Sequence, residues 1–216
     1  GIVRAPQMGF TIALPDARSN RTVQAENEAG RLILENGFVR AVFDPAGRLV
    51  SFFDKRANRE CIAPDEAANR FVLFDDEPLA WDAWDVDVFH LEKRTPAPGA
   101  ISAGVTESGP LRASLQFEYR LSPASTLRQT VSLTAVSPRL DFANHVDWHE
   151  THRFLKVEFP LNLRAQNATY EIQFGHLQRP THFNTSWDLA RFEVCAHKWA
   201  DLAEPEIEIR AVITAD

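Results

Sequence analysis

From Arg31 onward, short apolar runs alternate with polar breaks, and most runs have the two-residue period that sends successive side chains to opposite faces of a β-strand. In Ser114-Leu115-Gln116-Phe117-Glu118-Tyr119-Arg120-Leu121 the alternation is strict, and Thr130-Val131-Ser132-Leu133-Thr134 and Glu206-Ile207-Glu208-Ile209-Arg210 repeat it. Leu32, Leu34 and the run 38–43 lead into Asp44-Pro45-Ala46-Gly47, and 49–53 continues beyond. Pro suits the second position of a turn and Gly its end, so this stretch predicts a hairpin. Runs of strand length follow at 71–74, 86–91, 101–105, 113–121, 126–134, 140–148, 154–159, 170–174, 191–196 and 207–213. The 13 prolines leave little room for long helices, and only 64–69 and 186–191 suit a helical turn.

Roughly a dozen strands without a βαβ rhythm predict an all-β fold, a large antiparallel β-sandwich with few or no helices. Residues 1–30 are polar with little periodicity and read as an exposed lead-in, and 31–216 as a single domain. No internal repeat stands out.

Composition narrows the function classes. The 216 residues carry 30 acidic and 23 basic side chains, a net charge of −7, which argues against a nucleic acid or an anionic membrane as partner. No apolar run approaches the roughly 18 residues of a spanning helix. The two cysteines, Cys61 and Cys195, do not make a disulfide framework, so a reducing, cytoplasmic setting is expected. The five Trp and 15 Phe are unusual beside a single Met, and they fit either a β-rich core or a sugar-facing surface.

Functional side chains concentrate in three segments. In Trp81-Asp82-Ala83-Trp84-Asp85-Val86-Asp87, strand alternation would place Trp81, Ala83, Asp85 and Asp87 on one face. Indole faces stack on pyranose rings and carboxylates accept hydrogen bonds from sugar hydroxyls. The plainer alternative is a strand end whose Asp residues cap turns and whose Trp residues close the sandwich edge. An Asp85–Asp87 spacing also suits a glycosidase carboxylate pair, as any i, i+2 strand pair would.

The second segment, His145-Val146-Asp147-Trp148-His149-Glu150-Thr151-His152, has the donor types of a zinc site, with His145, Asp147 and His149 on one strand face. The helical zinc-protease pattern needs two residues between His-Glu and the next His, and only Thr151 intervenes. A strand followed by a charged turn explains the segment without a metal.

The third, running from Gly175 to Asp188, is long and rich in donors, and Arg179, His182, Asn184 and Trp187 are its candidates for contacting a ligand or a neighbouring domain. His197, after the run 191–196, reads as a satisfied half-buried histidine or a further contact residue. No Gly-rich phosphate loop or Gly-x-Ser-x-Gly turn occurs, and neither Cys has a His partner in sequence.

The same segments carry a family resemblance. Glu35-Asn36-Gly37-Phe38-Val39-Arg40, Asp54-Lys55-Arg56, the stretch 69–87, Val146-Asp147-Trp148-His149-Glu150, Leu155-Lys156-Val157-Glu158-Phe159-Pro160, Arg179-Pro180-Thr181-His182-Phe183-Asn184-Thr185 and the stretch from Phe192-Glu193-Val194 to Leu202 resemble the β-sandwich portion of glycoside hydrolase family 38 α-mannosidases of the bacterial and cytosolic type. The resemblance implies a galactose-mutarotase-like super-sandwich that packs against a preceding catalytic α/β domain of the same polypeptide. That domain, not this chain, would hold a divalent metal, usually zinc, and the Asp nucleophile of a retaining mechanism.

On this reading no residue of the chain is catalytic and none ligates metal. The partners expected are the catalytic domain and a mannose-containing oligosaccharide. Trp81, Trp84, Asp85, Asp87, Arg179, His182, Asn184, Trp187 and His197 are the candidates for substrate or domain contact. After Leu202 the chain departs from the family pattern, so the sandwich is expected to be incomplete at its C-terminal end. Two other classes stand beside this reading. One is a free-standing carbohydrate-binding module with Trp84, Trp187 and the 179–184 loop as platform. The other is a mutarotase-like epimerase using His149 with Glu150 or Asp147.

Overall fold

A computed structural model describes residues 22–82, 84–205 and 207–212. The chain opens as a meander of β1 (Val23–Glu28), β2 (Arg31–Asn36), β3 (Val39–Phe43), β4 (Leu49–Asp54) and β5 (Arg59–Glu60), paired antiparallel in that order. The β3–β4 turn is the expected one. Asp44 Oδ1 accepts the Ala46 and Arg48 N–H groups at 3.0 and 2.9 Å, and Gly47 takes a φ of +82° that a side chain would strain.

β6 (Arg70–Asp75) and β7 (Arg94–Pro96) pair next, separated by a 3-10 helix at Val88–Glu92. β8 (Ser102–Glu107), β9 (Arg112–Arg120), β10 (Thr126–Thr134) and β11 (Leu140–Asp147) form a four-stranded antiparallel sheet in the order β11-β10-β9-β8. β12 (Arg153–Glu158) returns to the free side of β6. β13 (Asn167–Ile172), β14 (Gly175–Pro180), β15 (Trp199–Glu204) and β16 (Ile207–Val212) make a last sheet in the order β14-β13-β15-β16. A short α-helix, α1 (Ser186–Leu189), sits in the β14–β15 connection.

The β1–β5 sheet packs on the β8–β11 sheet, and their facing rows make the core. Leu32, Leu34, Val39, Ala41 and Phe43 meet Leu115, Phe117, Leu127, Val131 and Leu133, all buried. Phe43 and Phe117 lie 5.5 Å apart between the layers, and the Phe71 ring meets Tyr119 edge-on at 5.1 Å. Each large side chain removed from water here contributes about 1.5–3 kcal/mol. Phe71 and Leu155 bring the β12-β6-β7 sheet onto the same core, and Trp148 packs half-buried against it. The last sheet is tied on through the Arg59–Glu204 ion pair and the Ile62–Leu161 bridge. The fold is thus the expected all-β antiparallel sandwich.

Several boundaries differ from the sequence reading. Of the polar lead-in, residues 1–21 lie outside the described residues, whereas 23–28 form β1. Val23 and Ala25 face the core, and Ser108 Oγ bonds both the N–H and the C=O of Ala25 at 3.1 Å. A period carried by one Val and one Ala is faint. Residues 64–69 form turns, not a helical turn. The run 86–91 is no strand: its N–H groups close 3-10 turns, and His90 is its buried side chain while Phe89 and Leu91 face water. Residues 191–196 are irregular, and the strand in that region is β15 instead.

Candidate functional site

The first segment is a loop, which removes the alternation expected for 81–87. Ala83 itself lies outside the described residues. Trp81 takes a φ of +62°, and its carbonyl accepts the N–H groups of Trp84 at 2.7 Å and Asp85 at 2.9 Å. The carboxylates fasten this turn. Asp85 Oδ1 accepts the Val86 N–H at 2.9 Å, and Asp87 Oδ2 reaches back to the Leu79 N–H at 2.7 Å. Asp side chains compete well for nearby backbone donors, so an Asp-rich stretch folds into such turns more readily than into a ladder. Asp85 and Asp87 are therefore loop fasteners and not a facing pair. The apolar side chains that precede them point outward: Leu79, Trp81 and Trp84 are 88%, 75% and 89% exposed.

Beside Trp81 lies an open cavity of about 360 Å³, with Glu77, Leu79, Asp82 and His152 on its walls. His152 comes from the far end of the second segment. Its N–H groups and those of Asp76 interlock, Asp76 N–H on the His152 carbonyl at 2.8 Å and His152 Nδ1 on the Asp76 carbonyl at 3.3 Å.

The rest of the second segment disperses. His145 and Asp147 stand on the solvent face of β11, and His149, past the strand end, sets its Nε2 2.9 Å from Asp147 Oδ1. Glu150 turns the other way and accepts the Ser122 and Ser125 hydroxyls at 2.5 and 2.6 Å. Those two bonds, with Arg153 and His149 nearby, hold its carboxyl below the usual range. Of the two epimerase pairings, His149–Glu150 is thus not assembled, whereas His149–Asp147 is formed on the exposed end of β11. Among the described residues no three His, Cys, Asp or Glu side chains converge where one ion could sit, so the donors of this segment do not fit a metal shell.

The third segment is built around Asp188, 4% exposed and held by a capping box. Its Oδ2 accepts the Asn184 and Thr185 N–H groups at 3.2 and 3.0 Å and the Thr185 hydroxyl at 2.8 Å. The Thr185 hydroxyl, then these amides and His182, lower the Asp188 pKa. His182 Nδ1 stands 3.3 Å from the same oxygen. Arg179, on β14, stacks its guanidinium 4.9 Å from the Tyr170 ring centre and donates to the Cys195 carbonyl at 3.1 Å. Around this frame Phe183, Trp187 and Leu189 project into solvent, Trp187 at 74% exposure. His197 is exposed rather than half-buried, with its backbone N–H on the Glu171 carbonyl at 3.3 Å. Trp199 is half-buried under Arg210, 5.0 Å from its ring centre.

The first and third segments meet at residues outside the candidate set. His90 is 4% exposed, enclosed by the Phe74, Phe154 and Phe192 rings at 5.2, 5.0 and 5.7 Å. Its Nδ1 donates to the Asp87 carbonyl at 2.6 Å, which leaves Nε2 to accept from Lys156 Nζ at 2.9 Å. Lys156 also pairs with Glu193, in the stretch after α1. A histidine inside the apolar run 86–91 was the sequence signal for this cluster. The arrangement presents two groups of exposed aromatic side chains on hydrogen-bonded frames, suited to burial against another surface or to stacking on sugar rings.

A family model described as the glycosyl hydrolases family 38 C-terminal domain matches residues 34–215. Alpha-mannosidase 2C1 of Homo sapiens is 49% identical over 210 residues, covering 94% of this chain and 20% of the human protein. Alpha-mannosidase G of Dictyostelium discoideum is 42% identical, with 94% of this chain and 20% of that protein covered. The alpha-mannosidase of Saccharomyces cerevisiae is 33% identical, at 80% and 17%. The chain therefore spans about a fifth of the length of these relatives. The crystal structure of an alpha-mannosidase from Enterococcus faecalis V583 superposes with a TM-score of 0.66 over 85% of this chain and 23% of that one. At 13% identity this likeness bears on fold alone.

Proposed function

The chain belongs to the glycosyl hydrolases family 38 C-terminal domain family, and from that premise we propose that it is the non-catalytic β-sandwich domain, residues 31–216 with β1 attached, of an α-mannosidase. On this reading the hydrolysis of terminal α-linked mannose, with its divalent metal and retaining chemistry, belongs to a catalytic α/β domain of the same polypeptide outside this chain. The sandwich packs against that domain and helps to wall the site that takes a mannose-containing oligosaccharide. A cytoplasmic setting is favoured by Cys61 and Cys195, both free thiols.

The observation that carries the reading is the exposure of Leu79, Trp81, Trp84 and Trp187 on frames already fixed by internal hydrogen bonds. Large apolar side chains held in water at defined positions are costly unless a second surface covers them. The test is the purified chain on an aryl α-mannoside. No turnover is expected, with or without added zinc, and turnover abolished by a chelator would overturn the proposal.

The cavity beside Trp81 supports a second reading, a carbohydrate-binding module. Titration with mannose or mannobiose, followed by Trp fluorescence, separates the two. Saturable quenching favours the module, and an unchanged spectrum favours a scaffold that works only with its catalytic partner.

A further inference from the structure

The two exposed aromatic groups, Trp81 with Trp84 and Phe183 with Trp187, lie about a hundred residues apart in the chain yet hang from one polar junction. Lys156, on β12, is the cation of this junction, and it is shared. One side of its ammonium is on His90 Nε2 at 2.9 Å, and the other on Glu193 Oε1, which itself stands 3.5 Å from the same His90 nitrogen. The ammonium also lies over two rings, with Nζ 4.9 Å from the Phe74 centre and 5.0 Å from the Phe154 centre. His90 passes the restraint on. Its Nδ1–H bond to the Asp87 carbonyl grips the residue whose carboxylate closes the Trp81 loop onto Leu79. On the other side, Glu193 and Phe192 anchor the stretch that follows α1, the helix that carries Trp187.

We propose that Lys156 is a positioning residue that couples the two aromatic surfaces, so that they are presented as one rigid contact rather than as two independent loops. The physical basis is the direction of the bonds. Apolar packing of Phe192 on His90 holds the segments near each other but allows sliding, whereas an ammonium with two fixed acceptors sets their relative position. The Nδ1–H bond to the Asp87 carbonyl leaves Nε2 as the acceptor that lets Lys156 serve both sides. The proposal deepens the domain-contact reading above, but the coupling is a property of the chain alone and stands or falls without a partner.

The experiment is amide hydrogen exchange on the 216-residue chain and three variants. Glu193→Gln removes the charge from the stretch after α1, and this side chain faces the first loop through Lys156 and the His90 Nε2 that stands 3.5 Å away. Lys156→Met keeps an unbranched apolar side chain and removes the ammonium, and Lys156→Arg restores a donor able to reach both acceptors. Coupling predicts that Glu193→Gln and Lys156→Met each speed exchange in 84–92 as well as in 191–197, by about tenfold, the effect of losing a charge-assisted bond. Lys156→Arg should recover most of it, and the buried amides of β9 and β10 should be unchanged in all three. Acceleration confined to 191–197 in Glu193→Gln, with 84–92 unmoved, would overturn the coupling, even if Lys156→Met proves too unstable to purify. Neither result bears on mannosidase activity or on the sugar titration, so failure here is distinct from failure of the domain reading.

Discussion

Gln129 sits in the core of the β10 strand, 1% exposed, at a position where the alternation calls for an apolar side chain. Its amide is satisfied on both ends. Nε2 donates to Asn69 Oδ1 at 3.0 Å and Asn144 Oδ1 at 2.9 Å, and Oε1 accepts from Asn69 Nδ2 at 2.7 Å. Asn69, 2% exposed with a φ of +56°, spends its other N–H on the Gly47 carbonyl at 2.9 Å, so the pair pins the β3–β4 turn onto the opposite sheet.

Gln129→Leu keeps the volume and removes the amide. Asn144 is exposed and regains water at little cost, and one Asn69 Nδ2 hydrogen keeps Gly47, but Asn69 Oδ1 and the other Nδ2 hydrogen are left buried without Gln129. Orphaning a buried polar group costs about 1–3 kcal/mol. The expected result is a lower urea midpoint by that amount with an unchanged m-value. Asn144→Ala should cost under about 0.5 kcal/mol, as an exposed substitution does. In Asn69→Gly/Gln129→Leu both partners are gone and Gly tolerates the left-handed φ, so the double variant should be less destabilised than the sum of the singles, by about 0.5–3 kcal/mol. A Gln129→Leu protein as stable as the parent, or an Asn144→Ala protein as damaged as Gln129→Leu, would refute the account of the network as a satisfied pin.

Two further perturbations follow from the same geometry. A Cβ on Gly47 would lie 2.9 Å from Tyr119 Cζ and 3.2 Å from Phe117 Cδ1, at a φ of +82°. Gly47→Ala should therefore lose roughly 2–5 kcal/mol by urea denaturation, and Gly47→Ala/Tyr119→Phe should recover part of it by removing the hydroxyl that the methyl group meets. A Gly47→Ala chain within error of the parent would sink that expectation. Glu150 is stabilised as the carboxylate by the Ser122 and Ser125 hydroxyls, so its folded-state pKa is lowered. Its contribution is complete above the unfolded-state carboxylate pKa and is lost as the pH falls through the lowered value. The stability gap between the parent and Glu150→Gln should accordingly be widest near pH 7 and close toward pH 3 in urea titrations, and a gap independent of pH would contradict the assignment.

Legibility of the candidate site divided along chemical lines. In the third segment the start of α1 is written locally, because Thr185 and Asp188 form a capping box within four residues. The first segment was misread as a strand. Its Trp and Asp spacing fits alternation, but the Asp carboxylates bond the backbone of their own loop, and side-chain bonds of that kind leave no two-residue signature. The second segment offered the donor types of a metal site. The end of β11 nevertheless turns His149 and Glu150 toward different partners, and only His152 reaches the first loop.

By itself the sequence determined the all-β antiparallel architecture and most strand positions, β10 at Thr126–Thr134 among them, because alternation records locally which side chains leave water. It also marked the Asp44–Gly47 turn, whose requirements are local. Tertiary structure decided which sheets face each other, that Gln129 and Asn69 complete one another 60 residues apart, and that Lys156 joins His90 and Glu193 across 66 and 37 residues. Those meetings depend on how distant segments close on one another. Their members are ordinary polar residues until burial removes water and makes each a required partner of the others.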